Sequence, residues 1–327
     1  RTRHPPSGDT RPACHRSEIV NQHILPPGPH GGDAGRVAKS LGLDAGEVID
    51  LSASLNPVAP DVSALVPDLL GEDRTTLGRY PDPTVATERL AAALDVAADR
   101  LVLTNGAAEA IALVAAELPV GDVVEPEFSL YRRHLGEVRP GAPRWRSNPS
   151  NPLGHLAEPE ATATVWDESF HPLATGQWSR GDDGAWRILS LTKIWACPGL
   201  RIGCVIAPDA DDAEAIRRRQ PRWAVNGLAL AAVPRLLEQT DLTRWSQQIA
   251  VSRTALLGEL ARLGFVARTT DANWVLVDHA DLRTQLAQHG IVVRDCASFG
   301  LGGVFRVALP RPDELDRVLS AFEAIAP

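Results

Sequence analysis

One lysine, Lys193, lies directly after an apolar run and among residues that can bind an anion. The run, residues 186–191, is typical of a buried strand. A lysine that leaves a strand in a small-residue loop can lose hydration, which favours the neutral amine, and a neutral amine can form a Schiff base with an aldehyde. Ser190 lies three residues before Lys193, Thr192 one before it and Arg201 eight after it. Two hydroxyl groups and a guanidinium are suited to bind a phosphate, so this stretch suggests pyridoxal phosphate (PLP).

PLP needs further contacts from a protein, and the chain offers a candidate for each. A carboxylate must pair with the protonated ring nitrogen, a donor must hold the ring oxygen, and a flat side chain must stack on the ring. Asp167 follows a predicted strand and could pair with the nitrogen, Asn151 in the sequence NPSNPLG could hold the oxygen, and Phe128 could stack. Each residue alone has an ordinary interpretation: a turn aspartate, a turn asparagine, a core phenylalanine and, for Lys193, a surface lysine. Their occurrence together favours a cofactor site.

The elements that must position these residues follow from the hydrophobic pattern. From residue 101 onwards strand and helix patterns alternate, which is typical of an α/β protein with a mostly parallel sheet. The predicted strands are 101–104, 122–124, 161–166, 187–191 and 202–207. A turn of small residues at 105–109 begins a helix after the first strand, and such a helix N-terminus can bind a phosphate.

After Pro208 the pattern changes to longer amphipathic helices. We predict helices at 213–219, 228–239, 243–263 and 312–325, with strands at 272–277 and 304–307. This pattern indicates a second, smaller α+β domain. We therefore divide the chain into an N-terminal arm and short helix that join the small domain (1–45), a large PLP-binding domain (46–212) and a small C-terminal domain with a linker helix (213–327).

The composition excludes several other classes of protein. The chain has 327 residues, of which 44% are hydrophobic, enough for a sizeable core in one large or two medium domains. A net charge of −8 argues against a nucleic-acid binder or a protein of the membrane surface. No apolar run approaches the roughly 20 residues of a membrane span. The four cysteines lack metal-ligand spacing, so we expect no metal site and a reducing, cytoplasmic location.

In the order and chemistry of its segments, the chain from residue 30 onwards resembles the fold-type-I PLP enzymes, the aspartate aminotransferase superfamily. The lysine stretch SLTKIWACPGLRIG and the sequence NPSNPLG at 148–154 are markers of this superfamily. Within this superfamily, the chain most resembles the threonine-phosphate decarboxylases of the cobalamin pathway and, after them, the histidinol-phosphate aminotransferases. The resemblance to the decarboxylases includes HGG at 30–32, DLSASLNP at 50–57, RYPDP at 79–83, DESF at 167–170, WAVNGLA at 223–229, RDC at 294–296 and FRVA at 305–308.

The resemblance implies a fold with a large domain around a mostly parallel mixed sheet and a smaller α+β C-terminal domain, and it implies a role for each candidate residue. Lys193 would be the Schiff-base lysine and proton carrier. The residues implied to bind the cofactor are Gly106, Ala107, Ser190 and Arg201 at its phosphate, Asp167, Asn151 and Phe128 at its ring, and Tyr80 from the other subunit of a homodimer. Those implied to bind substrate are His30, Gly31, Ser54 and Asn56, with Arg306 at its carboxylate.

Three positions depart from the pattern of these relatives. Ser54 stands where the decarboxylases usually have asparagine near the substrate phosphate, so the identity of the substrate depends on this site. Ser150 and Leu153 replace the more common asparagine and threonine, with little effect expected on PLP. Phe170 lacks the hydroxyl group of an aminotransferase tyrosine, which favours the decarboxylases.

We therefore expect decarboxylation of L-threonine O-3-phosphate to (R)-1-amino-2-propanol phosphate and CO2. The alternatives are a PLP-dependent aminotransferase similar to the histidinol-phosphate enzymes, a related enzyme of secondary metabolism with another amino-acid substrate, and a non-catalytic binding protein with this fold. The intact lysine and ring contacts argue against the last of these. Whether CO2 or the Cα proton leaves depends on a rotation about one bond of the bound substrate, which the sequence does not determine.

Overall fold

The computed structural model describes residues 31–72, 75–182 and 184–327. The predicted substrate residue His30 lies outside this range. The helices are α1 Ala34–Leu41, α2 Val66–Glu72, α3 Thr84–Leu94, α4 Gly106–Glu117, α5 Leu130–His134, α6 His171–Thr175, α7 Leu191–Ile194, α8 Ala210–Arg219, α9 Gly227–Glu238, α10 Leu242–Arg262, α11 Leu282–Ala287 and α12 Leu315–Ala324. The strands are β1 Ile49–Asp50, β2 Leu101–Thr104, β3 Val120–Gly121, β4 Glu137–Val138, β5 Trp145–Ser147, β6 Val165–Asp167, β7 Trp186–Leu189, β8 Gly203–Ile206, β9 Val266–Arg268, β10 Trp274–Asp278, β11 Ile291–Val292, β12 Arg294–Asp295 and β13 Val304–Ala308.

The larger sheet brings the predicted cofactor residues to one edge. Its strand order is β2-β8-β7-β6-β5, with β5, β6 and β7 parallel and β8 antiparallel to both of its neighbours. Because β5, β6 and β7 end at the same edge, the segments that follow Ser147, Asp167 and Leu189 meet there. β2 runs in the same direction as β7, and β8 begins at this edge two residues after Arg201. The α/β fold with a mixed sheet is confirmed.

The smaller sheet is antiparallel, with the order β12-β13-β10-β9. Val275, Val277 and Val307 pack into the main core together with residues of α10 and α12. Side chains alternate between the two faces of a strand, so Trp274 and Arg306 lie on the opposite face. Trp274 packs there against Phe170, which comes from the segment after β6.

The N-terminal part of the described chain packs on the C-terminal part. β1 pairs with β11 in parallel, and Val37 of α1 lies in a small cluster with Ala287 and Val292. A buried ion pair reinforces this contact: Arg283 Nη2 donates to Asp33 Oδ2 at 2.6 Å. The helix α8 instead packs into the core of the larger sheet. β1 thus contacts the small domain, although we assigned it to the large one. α8 contacts the larger sheet, although we assigned most of its residues to the small domain. The domain division stays a prediction.

Three local expectations differ from the structure. The strand predicted at 122–124 lies earlier, at β3, and Asp122 makes only an isolated bridge to Arg144. The strand predicted at 161–166 begins only at Val165, where β5 and β7 provide backbone partners on both sides. Lys193 lies in the one-turn helix α7 rather than in a loop.

Gly203 sits where two backbone segments approach each other closely, and we predict that a methyl group there is destabilising. A Cβ atom at Gly203 would lie 2.7 Å from Ala107 N and 2.9 Å from Leu189 O. Ala107 N cannot move without displacing the turn that begins α4, and Leu189 O cannot move without displacing the end of β7. Gly203→Ala should lower the free energy of unfolding by about 1–3 kcal/mol, the usual cost of overpacking, as measured by urea denaturation.

The matched control is Gly199→Ala in the same stretch. A Cβ atom at Gly199 would meet none of the described atoms within 4 Å. This variant should stay within about 0.5 kcal/mol of the wild type. Equal stabilities for the two variants would contradict the prediction.

Candidate active site

A cavity of about 480 Å³ lies where the edge of the larger sheet meets the smaller sheet. Nine of the predicted site residues line it, and they come from segments spread over most of the chain. They are Gly31, Ala107, Phe128, Asn151, Asp167, Ser190, Lys193, Arg201 and Arg306. The fold therefore assembles in one place the residues that the sequence analysis selected from separate motifs.

The amine of Lys193 is at the centre of the cavity wall and is poorly hydrated. Its Nζ atom donates a hydrogen bond to the backbone oxygen of Ala53 at 2.5 Å. Burial, assisted by the positive charge of Arg306, lowers the pKa of Lys193 to about 8, although the carboxylates of Asp50 and Asp167 act in the opposite direction. A substantial fraction of the amine is thus neutral near physiological pH, as a nucleophile requires.

Asp167 provides a buried carboxylate at the end of β6. Its Oδ2 accepts a hydrogen bond from the hydroxyl of Tyr131 at 2.8 Å, and its Oδ1 accepts one from Ser169 N at 3.0 Å. Burial raises the pKa of Asp167 despite these hydrogen bonds and the nearby charge of Lys193. A buried carboxylate of raised pKa suits a partner that carries a proton on nitrogen, such as a pyridinium ring.

Arg306 and Asn151 are held together across the cavity. Arg306 Nη1 donates to Asn151 Oδ1 at 2.7 Å, and Nη2 donates to the backbone oxygen of Ser52 at 3.2 Å. The guanidinium carbon lies 4.9 Å from the ring centroid of Trp274. Arg306 Nε has no hydrogen-bond partner among the described residues. A buried donor without an acceptor is costly.

The opposite end of the cavity suits a phosphate group. The turn that begins the 12-residue helix α4 has Gly106 at φ +73°, and a Cβ atom there would lie 2.5 Å from Arg201 Nη2. Glycine therefore allows the guanidinium to lie against the backbone of this turn. Ala107, Ser190 and Arg201 line the cavity at this point. A helix N-terminus, a hydroxyl and a guanidinium together form a favourable phosphate site.

Two aromatic side chains border the space between these ends. Phe128 lines the cavity and contacts Tyr131 edge-on, with ring centroids 5.9 Å apart. Its ring is available to stack on a flat ligand. Phe170 lines the cavity near Lys193, whose Nζ lies 6.0 Å from the Phe170 ring centroid. The cavity thus has a carboxylate, an amine, a phosphate site and a stacking surface, which are the contacts that PLP requires from a protein.

Ser54 and Asn56 are not brought to the cavity. Ser54 is fully buried at φ +50°, and its hydroxyl has no partner among the described residues. Asn56 Nδ2 donates to the backbone oxygen of Ile194, and its Oδ1 accepts from Val58 N. The turn in this segment directs Ser52 and Ala53 towards the cavity instead. Asn56 contributes indirectly, because it attaches this segment to α7, the helix of Lys193.

Tyr80 also lies away from the cavity of its own chain. Its side chain is 74% exposed and stacks on Trp223, with ring centroids 4.2 Å apart. Its predicted contact with the cofactor of another subunit is compatible with this position and stays a prediction.

The sequence analysis missed four residues that the structure places in or beside the cavity. Arg133 and Arg294 line the same cavity as Arg306. Tyr131 binds Asp167, and Glu127 is buried beside Phe128. The RDC sequence was noted, but nothing in it or in the residues around Phe128 distinguishes a site residue from an ordinary helix or turn residue.

The chain matches the family model described as aminotransferase class I and II over residues 146–322. It is 28% identical to the adenosylcobalamin biosynthesis bifunctional protein CobDQ of Leptospira interrogans, covering 90% of this chain but only 41% of that protein. It is 27% identical to a threonine-phosphate decarboxylase of Salmonella typhimurium, covering 90% of this chain and 96% of that enzyme. It is also 27% identical to histidinol-phosphate aminotransferase 1 of Thiobacillus denitrificans, covering 94% and 93%.

A solved structure has the same fold at low sequence identity. The histidinol-phosphate aminotransferase of Sinorhizobium meliloti, determined in complex with pyridoxal 5'-phosphate, aligns with a TM-score of 0.75 and 18% identity over 96% of this chain and 98% of that one. In the part of the chain that the structure describes, no helix is long and apolar enough to cross a membrane.

We predict that PLP labels Lys193 covalently. The chain has only two lysines, Lys39 and Lys193, and Lys39 is exposed on α1. After incubation with PLP and reduction with borohydride, peptide mass spectrometry should find the label on Lys193. Below pH 8 the labelling rate should fall by roughly tenfold per pH unit, because protonation removes the reactive amine. Lys193→Arg should abolish this labelling and Lys39→Arg should preserve it; label mainly on Lys39 would contradict the assignment.

Proposed function

The chain belongs to the aminotransferase class I and II family, and we propose that it decarboxylates L-threonine O-3-phosphate to (R)-1-amino-2-propanol phosphate and CO2. Its cofactor is pyridoxal 5'-phosphate. The observation that carries the proposal is the number of guanidinium groups in the cavity besides that of Arg201. Arg133, Arg294 and Arg306 all line the cavity, which exceeds what a single carboxylate needs.

The cofactor-binding residues follow from the geometry already described. Ser190, Arg201 and the N-terminal turn of α4 would hold the cofactor phosphate. Asp167 would pair with the ring nitrogen, and Asn151 would contact the ring oxygen. When bound, PLP takes amino groups at its aldehyde and accepts the electrons of a breaking bond into its ring.

The guanidinium groups suit a substrate with two anionic ends. Arg306, which lines the cavity close to Lys193, is placed to bind the carboxylate. Arg294 is buried and donates to Ser298 Oγ at 2.9 Å, and Arg133 is exposed at the cavity mouth. These two residues would bind the substrate phosphate, since charge-assisted hydrogen bonds to phosphate are strong.

Lys193 would supply the proton that replaces the lost carboxylate. With a pKa lowered to about 8, its amine exists in neutral and protonated forms near neutral pH. It can therefore release the substrate's amino group in one form and donate a proton to Cα in the other. Phe170 and Phe299 line the cavity without polar groups, and an apolar wall favours loss of a charged carboxylate as neutral CO2.

Transamination of a phosphorylated amino acid is the second candidate. The similarity to histidinol-phosphate aminotransferase is as high as that to the decarboxylase. A related enzyme that acts on another amino acid would use the same residues with a different fit beside Arg133 and Arg294. Both reactions share the cofactor site, so product analysis separates them.

The first test of this function is the product formed from threonine phosphate. With PLP and no 2-oxo acid, the enzyme should release CO2 and a phosphorylated amine, measured by mass spectrometry. L-Threonine, which lacks the phosphate, should react with a kcat/KM lower by roughly tenfold or more, since each hydrogen bond to a charged group contributes about 1.5–3 kcal/mol. Formation of a 2-oxo acid only when an amino acceptor is present would identify an aminotransferase. No turnover of threonine phosphate would assign another substrate.

The second prediction concerns assembly into a homodimer with shared active sites. Tyr80 and Trp223 form an exposed aromatic pair, and the resemblance to fold-type-I PLP enzymes implies that this tyrosine contacts the cofactor of the other subunit. Tyr80→Phe and Lys193→Ala homodimers should each be weakly active. Mixed heterodimers should regain activity, because one of their two sites has both native residues. A fully active monomer by analytical ultracentrifugation would contradict this assembly.

A further inference from the structure

A second carboxyl group lies buried below the cavity, at Glu127. The residue is 5% exposed and directly precedes Phe128. Three donors converge on its carboxylate. Ser147 N donates to Oε1 at 3.0 Å, Ser147 Oγ donates to Oε2 at 2.5 Å, and Phe128 N donates to Oε2 at 3.3 Å.

The hydroxyl of Ser147 continues this arrangement towards the cavity. Ser147 Oγ accepts a hydrogen bond from Asn151 N at 2.8 Å. The side chain of Asn151 in turn accepts from Arg306 Nη1 at 2.7 Å. Glu127 is therefore connected through two hydrogen-bonded residues to the guanidinium proposed to bind the substrate carboxylate. It also binds the backbone of Phe128, the residue proposed to stack on the cofactor.

We propose that Glu127 is a positioning residue that holds Phe128, Asn151 and Arg306 where they contact cofactor and substrate. The inference rests on the proposed function only in that the cavity binds PLP; it applies equally to a decarboxylase and an aminotransferase. Glu127 itself does not line the cavity, so its effect is transmitted through Ser147 and the backbone.

The ionised form of Glu127 is the one that fits its neighbours. All three contacts are donors, and an ionised carboxylate is purely an acceptor. Protonation would add a fourth hydrogen to a carboxyl group on which three donors already converge, and would therefore weaken the contact with Ser147 and the connection to Asn151.

Burial raises the pKa of Glu127 to about 7, against the hydrogen bonds from Ser147 and Phe128, and the charge of Asp167 adds to the increase. The other titratable groups facing it are Tyr131 on α5 and Glu125, whose Oε2 accepts from Glu127 N at 2.7 Å. The charge of Asp167 favours protonation of Glu127 as pH falls, whereas the hydroxyl of Tyr131, whose pKa is raised by burial, is uncharged in this range. The hydrogen bonds that connect Glu127 to Asn151 through Ser147 should therefore weaken below about pH 7.

Glu168 provides a matched comparison within the same sheet edge. It is fully buried and directly follows Asp167, and burial raises its pKa as well. Its carboxylate, however, accepts from Ser179 Oγ at 2.6 Å and Arg180 N at 3.0 Å. Neither partner lines the cavity. A substitution at Glu168 thus tests the general cost of altering a buried glutamate.

The experiment compares Glu127→Gln, Glu168→Gln and wild type from pH 5.5 to 8.5. The measured quantities are the Kd of the PLP-free protein for PLP, from a spectroscopic titration, and the KM and kcat of the loaded enzyme.

The wild-type Kd should rise as pH falls through about 7. Glu127→Gln should weaken PLP binding at pH 8 by about tenfold, equivalent to one hydrogen bond, and should lose the pH step near 7. Its KM should rise more than its kcat falls, because Arg306 is less well placed. Glu168→Gln should keep the step.

Ser147→Ala is the second variant, and it keeps the test decisive if Glu127→Gln does not fold. It removes the hydroxyl that joins Glu127 to Asn151 and should weaken PLP binding by a similar factor. If Glu127→Gln and Ser147→Ala bind PLP as Glu168→Gln does, with the pH step retained, Glu127 is only structural and the proposal is overturned. If the wild-type protein does not bind PLP at all, the proposed function fails, and this inference fails with it.

Discussion

The site depends on the parallel arrangement of three neighbouring strands. β5, β6 and β7 end at one edge of the sheet, and the residues directly after them are those with the chemistry: the turn that contains Asn151, then Asp167 at the end of β6, and the Ser190–Lys193 stretch. Parallel strands must be joined by crossover connections, so these residues are far apart in the chain and adjacent in space. The antiparallel strand β8 begins at the same edge, and Arg201 lies there two residues before it. The close approach of Gly203 to the turn that begins α4 keeps β8 and this turn tightly packed at the sheet edge.

Positive charge dominates the cavity and affects its lysine as well as its ligands. Arg201, Arg294 and Arg306 line the same space as Lys193, and Arg306 and Arg201 both contribute to the low pKa of that lysine. The groups that attract anions therefore also keep the amine partly neutral. When an anion binds, it screens the guanidinium groups and should return some basicity to Lys193. Anion binding and proton transfer are thus linked through the same few charges.

The sequence was sufficient to predict the fold class, the lysine and most of the residues that meet at the cavity. These signals are local: an apolar run followed by a polar residue specifies a strand end, and strand ends meet at a sheet edge. The short strand β5 was not predicted, since three residues give no periodic pattern. Ser54 and Asn56 were expected to face the substrate. The backbone at Ser54 is left-handed, however, and Ser52 and Ala53 line the cavity instead. The sequence did not indicate a role for Glu127. Whether a carboxylate can be buried depends on the hydrogen-bond donors around it, and its donor Ser147 comes from β5, a separate segment of the chain.

The pairing of β1 with β11 also has a consequence for the order in which the protein is built. Ile49 pairs with Ile291, so two short strands from near opposite ends of the chain form one unit. The segment that follows β1 supplies Ser52 and Ala53 to the cavity wall, and the oxygens of these residues accept hydrogen bonds from Arg306 and Lys193. Contacts between residues distant in sequence form late, because the intervening loop must first be closed. During synthesis on the ribosome the larger sheet can therefore form before its lysine has gained its backbone acceptor, and the active site is completed only after β11 and β13 have left the ribosome.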